Sequence, residues 1–279
     1  MSQNKIILCG LPASGKTTFI AALWYILSNK EISTTLSLGS LPKSRNYLNE
    51  LSRKWSRLIQ VARTPTDEYQ EISISLKSET STVTLSIPDM SGETWRSLWS
   101  NRSCPEHVAE WTQNSSGILL FLHSDKITPP VDIVSSNAMV RAMGGEPEDR
   151  EFVPWSPDSS PTQVILVDLL QSLTLPPLGK GKKRLGIIIS AWDKTKDTGS
   201  TPGEYLRRNL PLLHQFLQSS DCFTEIKIYG VSAQGGDFES EKELQHLKDE
   251  DIPSKRILVV DGTDSNHDLT LPIQWLMKK

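Results

Sequence analysis

The stretch that most constrains this chain is Gly10-Leu-Pro-Ala-Ser-Gly-Lys-Thr17, set directly between the apolar runs Lys5-Ile-Ile-Leu-Cys9 and Thr18-Phe-Ile-Ala-Ala-Leu-Trp-Tyr-Ile-Leu27. It fits G-x-x-x-x-G-K-[ST], and the strand pattern before it and helix-length pattern after it are the context that motif requires. Gly10 and Gly15 allow backbone angles that a Cβ would make costly, so successive N–H groups can turn inward on a phosphate. The helix that follows aims its positive end at the same anion. Gly10, Ala13, Ser14, Gly15, Lys16, Thr17 and Thr18 are therefore expected to hold a nucleotide's phosphates. The Lys16 ammonium would reach the outer phosphates and stabilise charge during transfer, and the Thr17 hydroxyl is a hard oxygen ligand suited to Mg²⁺.

At 279 residues, 37% hydrophobic and 23% charged, the chain can bury a sizeable core. A net charge of −3 gives no general attraction to nucleic acid or an anionic membrane. Cys9, Cys104 and Cys222 are odd in number and far apart, which disfavours a disulfide framework or a Cys-x-x-Cys metal site and suits a reducing cytoplasm. The first residues carry too short an apolar run for a secretory signal, and no run approaches the length of a membrane span. A cytoplasmic protein is the expectation.

Beyond residue 28 a polar loop leads to an amphipathic helix over Pro42–Arg63, with Leu48, Leu51, Trp55, Leu58 and Ile59 at helical spacing. Strict alternation marks strands at 71–77 and 82–88, joined by a hairpin turn. Asp89-Met-Ser-Gly92 follows. A carboxylate placed there can hold the water shell of Mg²⁺, and the Gly92 N–H can approach a γ-phosphate. The Trp-rich segment 93–113 reads as helical core or a partner surface. Gly117–Leu122 and Leu185–Ser190 are continuous apolar runs of the kind found in strands covered on both faces. Between them, 124–161 is proline-rich and reads as an inserted, partly mobile loop, and 162–173 as a helix. The run Gly179-Lys-Gly-Lys-Lys-Arg184 reads as a solvated basic turn, or as a phosphate or nucleic-acid contact. A helix over 204–219 is interrupted by Pro211. A strand at 225–229, a candidate strand at 256–260 and a helix from Leu271 complete the chain.

Alternating strands and helices predict an α/β fold, a three-layer α/β/α arrangement with a mostly parallel sheet and one antiparallel strand. Ligands bind such sheets at the carboxyl ends of the strands, where every candidate motif lies. In that order the chain resembles the Ras-like P-loop GTPases. Its phosphate loop, the Ala-Leu-Trp helix, Ala191-Trp-Asp-Lys194 and Asp268-Leu-Thr-Leu-Pro-Ile-Gln-Trp275 look like the double-GTPase family, predicted bacterial GTPases of conflict or defence systems. The resemblance implies one G domain over 1–279, with insertions at about 28–63, 124–161 and 237–256.

Carried over by residue, the resemblance makes Thr66, with Thr64 as alternative, the switch threonine that reaches Mg²⁺ and the γ-phosphate. Asp89 joins Thr17 and Thr66 around the metal. Asp193 would accept from guanine N1 and N2, Ala233 would donate its backbone N–H to O6, and Ser232 and Lys194 complete the base site. Ser190 and Ala191 stand where the family has Asn and Lys, so the stem that covers the base is missing; Trp192 or Lys194 is expected to replace it. Glu93 occupies the position of a water-orienting Gln. Arg63 has the spacing from Thr66 of an in-chain arginine finger, with a surface role as its alternative.

These features imply a Mg²⁺-dependent GTPase switch that binds GTP and GDP and hydrolyses GTP slowly or with a partner's help. Protein partners within the same system are expected, and dimerisation is left open. The alternatives are a non-hydrolysing nucleotide-binding interaction module, in which Glu93 marks lost catalysis, or an ATPase.

Overall fold

Three of the apolar runs lie side by side at the centre of a nine-stranded sheet in the order β2-β3-β4-β1-β5-β6-β7-β8-β9. The strands are β1 (Asn4–Gly10), β2 (Ser37–Leu38), β3 (Glu71–Lys77), β4 (Thr82–Pro88), β5 (Gly117–His123), β6 (Lys183–Ser190), β7 (Phe223–Ser232), β8 (Leu258–Asp261) and β9 (Asp264–Asn266). The computed structural model describes residues 4–60, 71–79, 82–88, 92–130, 132–146 and 154–277. Arg63, Thr64, Thr66 and Asp89 lie outside the described residues.

The five central strands β4, β1, β5, β6 and β7 are parallel. The expected antiparallel strand is β3, paired with β4 from Glu71↔Pro88 to Lys77↔Thr82. A second strand, β8, also runs against the sheet, pairing with β7. Its direction is set by contacts remote in sequence, which the pattern at 256–260 does not encode.

The helices are α1 (Lys16–Asn29), α2 (Arg45–Ser56), α3 (Gly92–Asn101), α4 (Glu106–Asn114), α5 (Ile133–Ala142), α6 (Thr162–Thr174), α7 (Pro202–Asn209), α8 (Pro211–Ser219), α9 (Glu241–Lys248) and α10 (Leu271–Met277). Side chains alternate between sheet faces, so Ile6 and Leu8 of β1 join α1, α2 and α10 in one core layer. Ile7 and Cys9 join α3, α4, α6, α7 and α8 in the other. Helices on both faces explain why β1, β5 and β6 are largely apolar. Among the described residues no helix is long and apolar enough to cross a membrane.

Two readings of the sequence need correction. The segment 124–161 carries helix α5 and a short 3-10 turn at Pro157–Ser159 besides its loops. The run 179–184 is not wholly a solvated turn, because β6 begins at Lys183 and buries that side chain to 3% exposure. The Lys183 ammonium donates to the Thr112 and Ser115 carbonyls, both at 2.6 Å, and to the Ser115 hydroxyl at 3.1 Å. Those oxygens lie at the C-terminal end of α4, where helix carbonyls lack intrahelical donors and a cation is favoured. Lys183 serves the fold, and a phosphate is not its partner here.

Candidate functional site

The sequence leaves β1 at Gly10 and enters α1 through a loop in which Ala13 and Gly15 take positive φ, +56° and +89°. Gly15 has a second reason to be glycine. A Cβ there would lie 2.8 Å from Ser190 Oγ and 2.9 Å from Ser190 Cβ. Ser190 ends β6 and donates its hydroxyl to the Ser14 carbonyl at 2.9 Å, reaching over the end of the intervening β5. The loop is thus propped from below by the strand that leads into the base-side motif.

Lys16 folds back along the loop and donates to Gly10 O at 2.7 Å, Leu11 O at 3.0 Å and Ser14 Oγ at 3.0 Å. Its charge is held over the loop's concave face. The first turn of α1 carries no acidic side chain and no side-chain cap, so its backbone donors and positive end are left to an anion. Thr17 and Thr18 are half-buried in that turn. Gly92 begins α3, and Glu93 is exposed in its first turn.

On the base side, β6 gives way to Ala191 at φ +51° and a 3-10 turn over Trp192–Thr198. The Asp193 carboxylate accepts from the buried Ser232 hydroxyl, whose oxygen in turn accepts from Gly235 N at 3.0 Å. Ala233 follows directly, with its carbonyl receiving the Trp55 indole N–H at 2.8 Å. Asp193, Ser232 and Ala233 therefore form one cluster at the ends of β6 and β7. Lys194 turns outward to Asp125 at 2.9 Å and Asp237 at 3.3 Å. The hydrogen bond that Lys194 donates to Asp125 raises the Lys194 pKa, and the same contact lowers that of Asp125.

Trp192 does not supply a cover for a base. It is 6% exposed, lies over Gly230 and meets the Tyr205 ring edge-on at 5.6 Å. The Tyr205 hydroxyl then donates to Ser124 O at 2.6 Å, and Ser124 Oγ to Ala191 O at 2.8 Å, fixing the start of the turn.

Sequence reasoning missed three contributors: Ser190, Trp55 and Asp125. Ser190 was legible in one respect, because a hydroxyl at the family's Asn position can still reach a neighbouring carbonyl. Trp55 reads as core from helical spacing alone, and it is core as well.

The profile of a family described as Double-GTPase 1 matches residues 7–276. This chain belongs to the Double-GTPase 1 family. That membership puts it among the P-loop GTPases, which bind guanine nucleotide. The chain matches no curated protein. Among solved structures it is similar to Methanosarcina barkeri Roco2 RocCORdC bound to GDP, at 10% identity and TM-score 0.34, over 91% of this chain and 51% of that one. It is also similar to Sup35 complexed with GDP, at 14% identity and TM-score 0.37, over 85% of this chain and 38% of that one. A third is the S. cerevisiae Ski7 GTPase-like domain bound to GTP, at 14% and 0.39, over 84% and 43%. The chain thus spans about half or less of each of those chains.

Proposed function

We propose that this Double-GTPase 1 chain is a Mg²⁺-dependent GTPase working as a nucleotide switch, with the whole chain acting as one G domain. The observation that carries the reading is the Ser190 link. One residue props the phosphate loop through Ser14 and stands three positions before Asp193, so both ends of a nucleotide would be read from a single strand end. Gly10, Ala13, Ser14, Gly15, Lys16, Thr17 and Thr18 take the phosphates, with Gly92 at the γ position. Asp193, Ser232 and Ala233 take guanine, and Lys194 borders that site.

Thr17 fits Mg²⁺ by the chemistry of its hard hydroxyl oxygen and by its place in the turn that follows the phosphate loop. Thr66 and Asp89 are its proposed companions. When bound, the ion would neutralise phosphate charge. Lys16 would add positive charge at the transferred phosphate, Glu93 would orient or deprotonate water, and Arg63 would stabilise charge in the transition state. Cytoplasmic location, protein partners and work within a bacterial conflict or defence system complete the proposal.

Calorimetry with GDP and with non-hydrolysable GTP and ATP analogues, each with and without Mg²⁺, tests it. Guanine binding that is strengthened by Mg²⁺ and lost in Asp193→Ala is expected. Equal ATP binding would remove the role of Asp193. The carboxylate at Glu93 favours a second reading, a nucleotide-binding module that does not hydrolyse. Several GTP consumed per protein, abolished by Lys16→Ala, would exclude it.

A further inference from the structure

We propose that Trp55 is a positioning residue for the base-recognition loop, so that α2 acts as the clamp that holds Ala233 and Gln234 in place. The inference rests on the guanine-site reading above and concerns its regulation. Trp55 sits in the last turn of α2, 3% exposed, beside the Tyr25 ring at 5.0 Å. A buried indole needs an acceptor for its N–H. Trp55 finds it in Ala233 O at 2.8 Å, a residue 178 positions away that also belongs to the loop carrying Ser232.

The consequence follows from the planarity of the peptide bond. Fixing the Ala233 carbonyl toward α2 fixes the plane of the peptide after Ala233, with the Gln234 N–H pointing the opposite way, and so restrains the backbone of the residue whose own N–H is assigned to O6. The preceding peptide is fixed from the other side, because Ser232 pairs with Leu258 on β8 and its hydroxyl ties Asp193 to Gly235 N. The loop is therefore held at both flanks, one by the sheet and one by α2. Arg256 strengthens the second attachment, since its Nη1 donates to Ser56 O at 3.0 Å.

Helix α2 also packs on α1, where the Trp24 indole N–H donates to Asn49 Oδ1 at 2.8 Å. A displacement of α2 by a protein partner would release the Trp55 contact and loosen the base. Release of GDP is then governed from α2.

The test compares wild type with Trp55→Phe and with a chain carrying benzothienylalanine at position 55, which keeps the indole shape but has no N–H. GDP affinity and dissociation rate are measured, together with affinities for inosine diphosphate and 6-thioguanosine diphosphate. The last replaces O6 by sulfur, a weaker acceptor, and keeps N1–H and the 2-amino group; inosine lacks only the 2-amino group. Loss of one hydrogen bond is expected to speed GDP release about fivefold in both variants. Discrimination against the thio nucleotide should shrink, while the ratio of GDP to inosine diphosphate, which reports Asp193, is kept. A purely structural role would instead lower thermal stability and weaken all nucleotides alike, and that result overturns the proposal. So does wild-type behaviour in both variants. If Trp55→Phe fails to fold, the isosteric variant decides. Should wild type bind no guanine nucleotide, the guanine-site reading itself fails and the clamp fails with it, a result distinct from normal binding unaffected at position 55.

Discussion

The Ser190 hydroxyl donates to the Ser14 carbonyl across 2.9 Å, and the same side chain fills the volume that a Cβ on Gly15 would need. One contact is attractive and the other excluding, and together they set the height of the phosphate loop above the end of β6.

Gly15→Ala is expected to weaken GDP binding at least a hundredfold, since it adds a backbone penalty at φ +89° to overlap with Ser190. Ser190→Ala should weaken it only about fivefold by leaving Ser14 O without its donor. In Gly15→Ala/Ser190→Gly the overlap is relieved while the φ penalty stays. Partial recovery relative to Gly15→Ala is expected by calorimetry, and the double-mutant cycle, closed with Ser190→Gly alone, gives the size of the steric part.

Gly230→Ala tests whether the core holds Asp193 in place. A Cβ on Gly230 would overlap Trp192 Cδ2 and lie 2.7 Å from its Cε2 and Cγ. The indole has nowhere to go, because Tyr205 lies against it and Trp192 is 6% exposed. We expect a loss of about 1–3 kcal/mol of stability from overpacking. Displacing Trp192 also moves the adjacent Asp193, so guanine affinity should fall while inorganic phosphate still protects Lys16 from chemical modification.

Lys183 gives a pH signature with a defined sign. Burial pushes its amine down to about 8 from 10.5, while three oxygen acceptors hold the ammonium at neutral pH. Between those values the unfolded chain binds more protons than the folded one, so this residue makes stability rise with pH from about 8 to 10.5. Below 8 the full cost of the buried charge is present. Lys183→Met should remove that rise, seen as the difference between wild-type and variant denaturant curves at pH 7.5 and 10. At neutral pH the variant is relieved of the buried charge but takes the ammonium from the Ser115 carbonyl, a loss of about 1 kcal/mol, while Thr112 O keeps the Ser115 hydroxyl as donor at 2.8 Å.

Local patterns proved readable where the physics is local. The phosphate loop needs only a strand, two glycines and a helix start, all within residues 5–27, and β3, β4, β5 and β6 announce themselves by alternation or apolar runs. Pro211 does split its helix, with α7 ending at Asn209 and α8 starting at Pro211. What escaped depends on partners remote in the chain. Lys183 looks solvated beside Lys180 and Lys182 until α4 packs over it. The direction of β8 is decided by β7, and β2 is two residues paired to β3. On the base side Asp193 and Ser232 could be named from the family pattern, yet Trp192 could not be assigned to the core, because nothing near it in sequence shows that Gly230 opens a space for its ring.

The Asp268-Leu-Thr270 portion of the family-like C-terminal motif has a physical reason that yields a last prediction. The Asp268 carboxylate, 7% exposed, accepts from Thr35 N at 2.7 Å, Thr270 N at 2.8 Å and Thr270 Oγ1 at 2.6 Å. Thr270 Oγ1 in turn accepts from Leu36 N at 3.1 Å and meets Thr35 Oγ1 at 2.9 Å. The pair thereby pins the chain just before β2 to the start of α10, ahead of the segment that carries β2 and α2. Asp268→Ala would strand the buried backbone N–H of Thr270 and remove the charge-assisted bond to Thr35 N, at about 2–4 kcal/mol. Thr270→Val, which loses the hydroxyl but keeps the shape, should cost less. Hydrogen exchange separates the local effect from a global one. In Asp268→Ala the amides of Thr35 and Leu36 should lose protection well before those of β1, and equal loss in both would mean that the motif supports the whole sheet and not the segment around β2 alone.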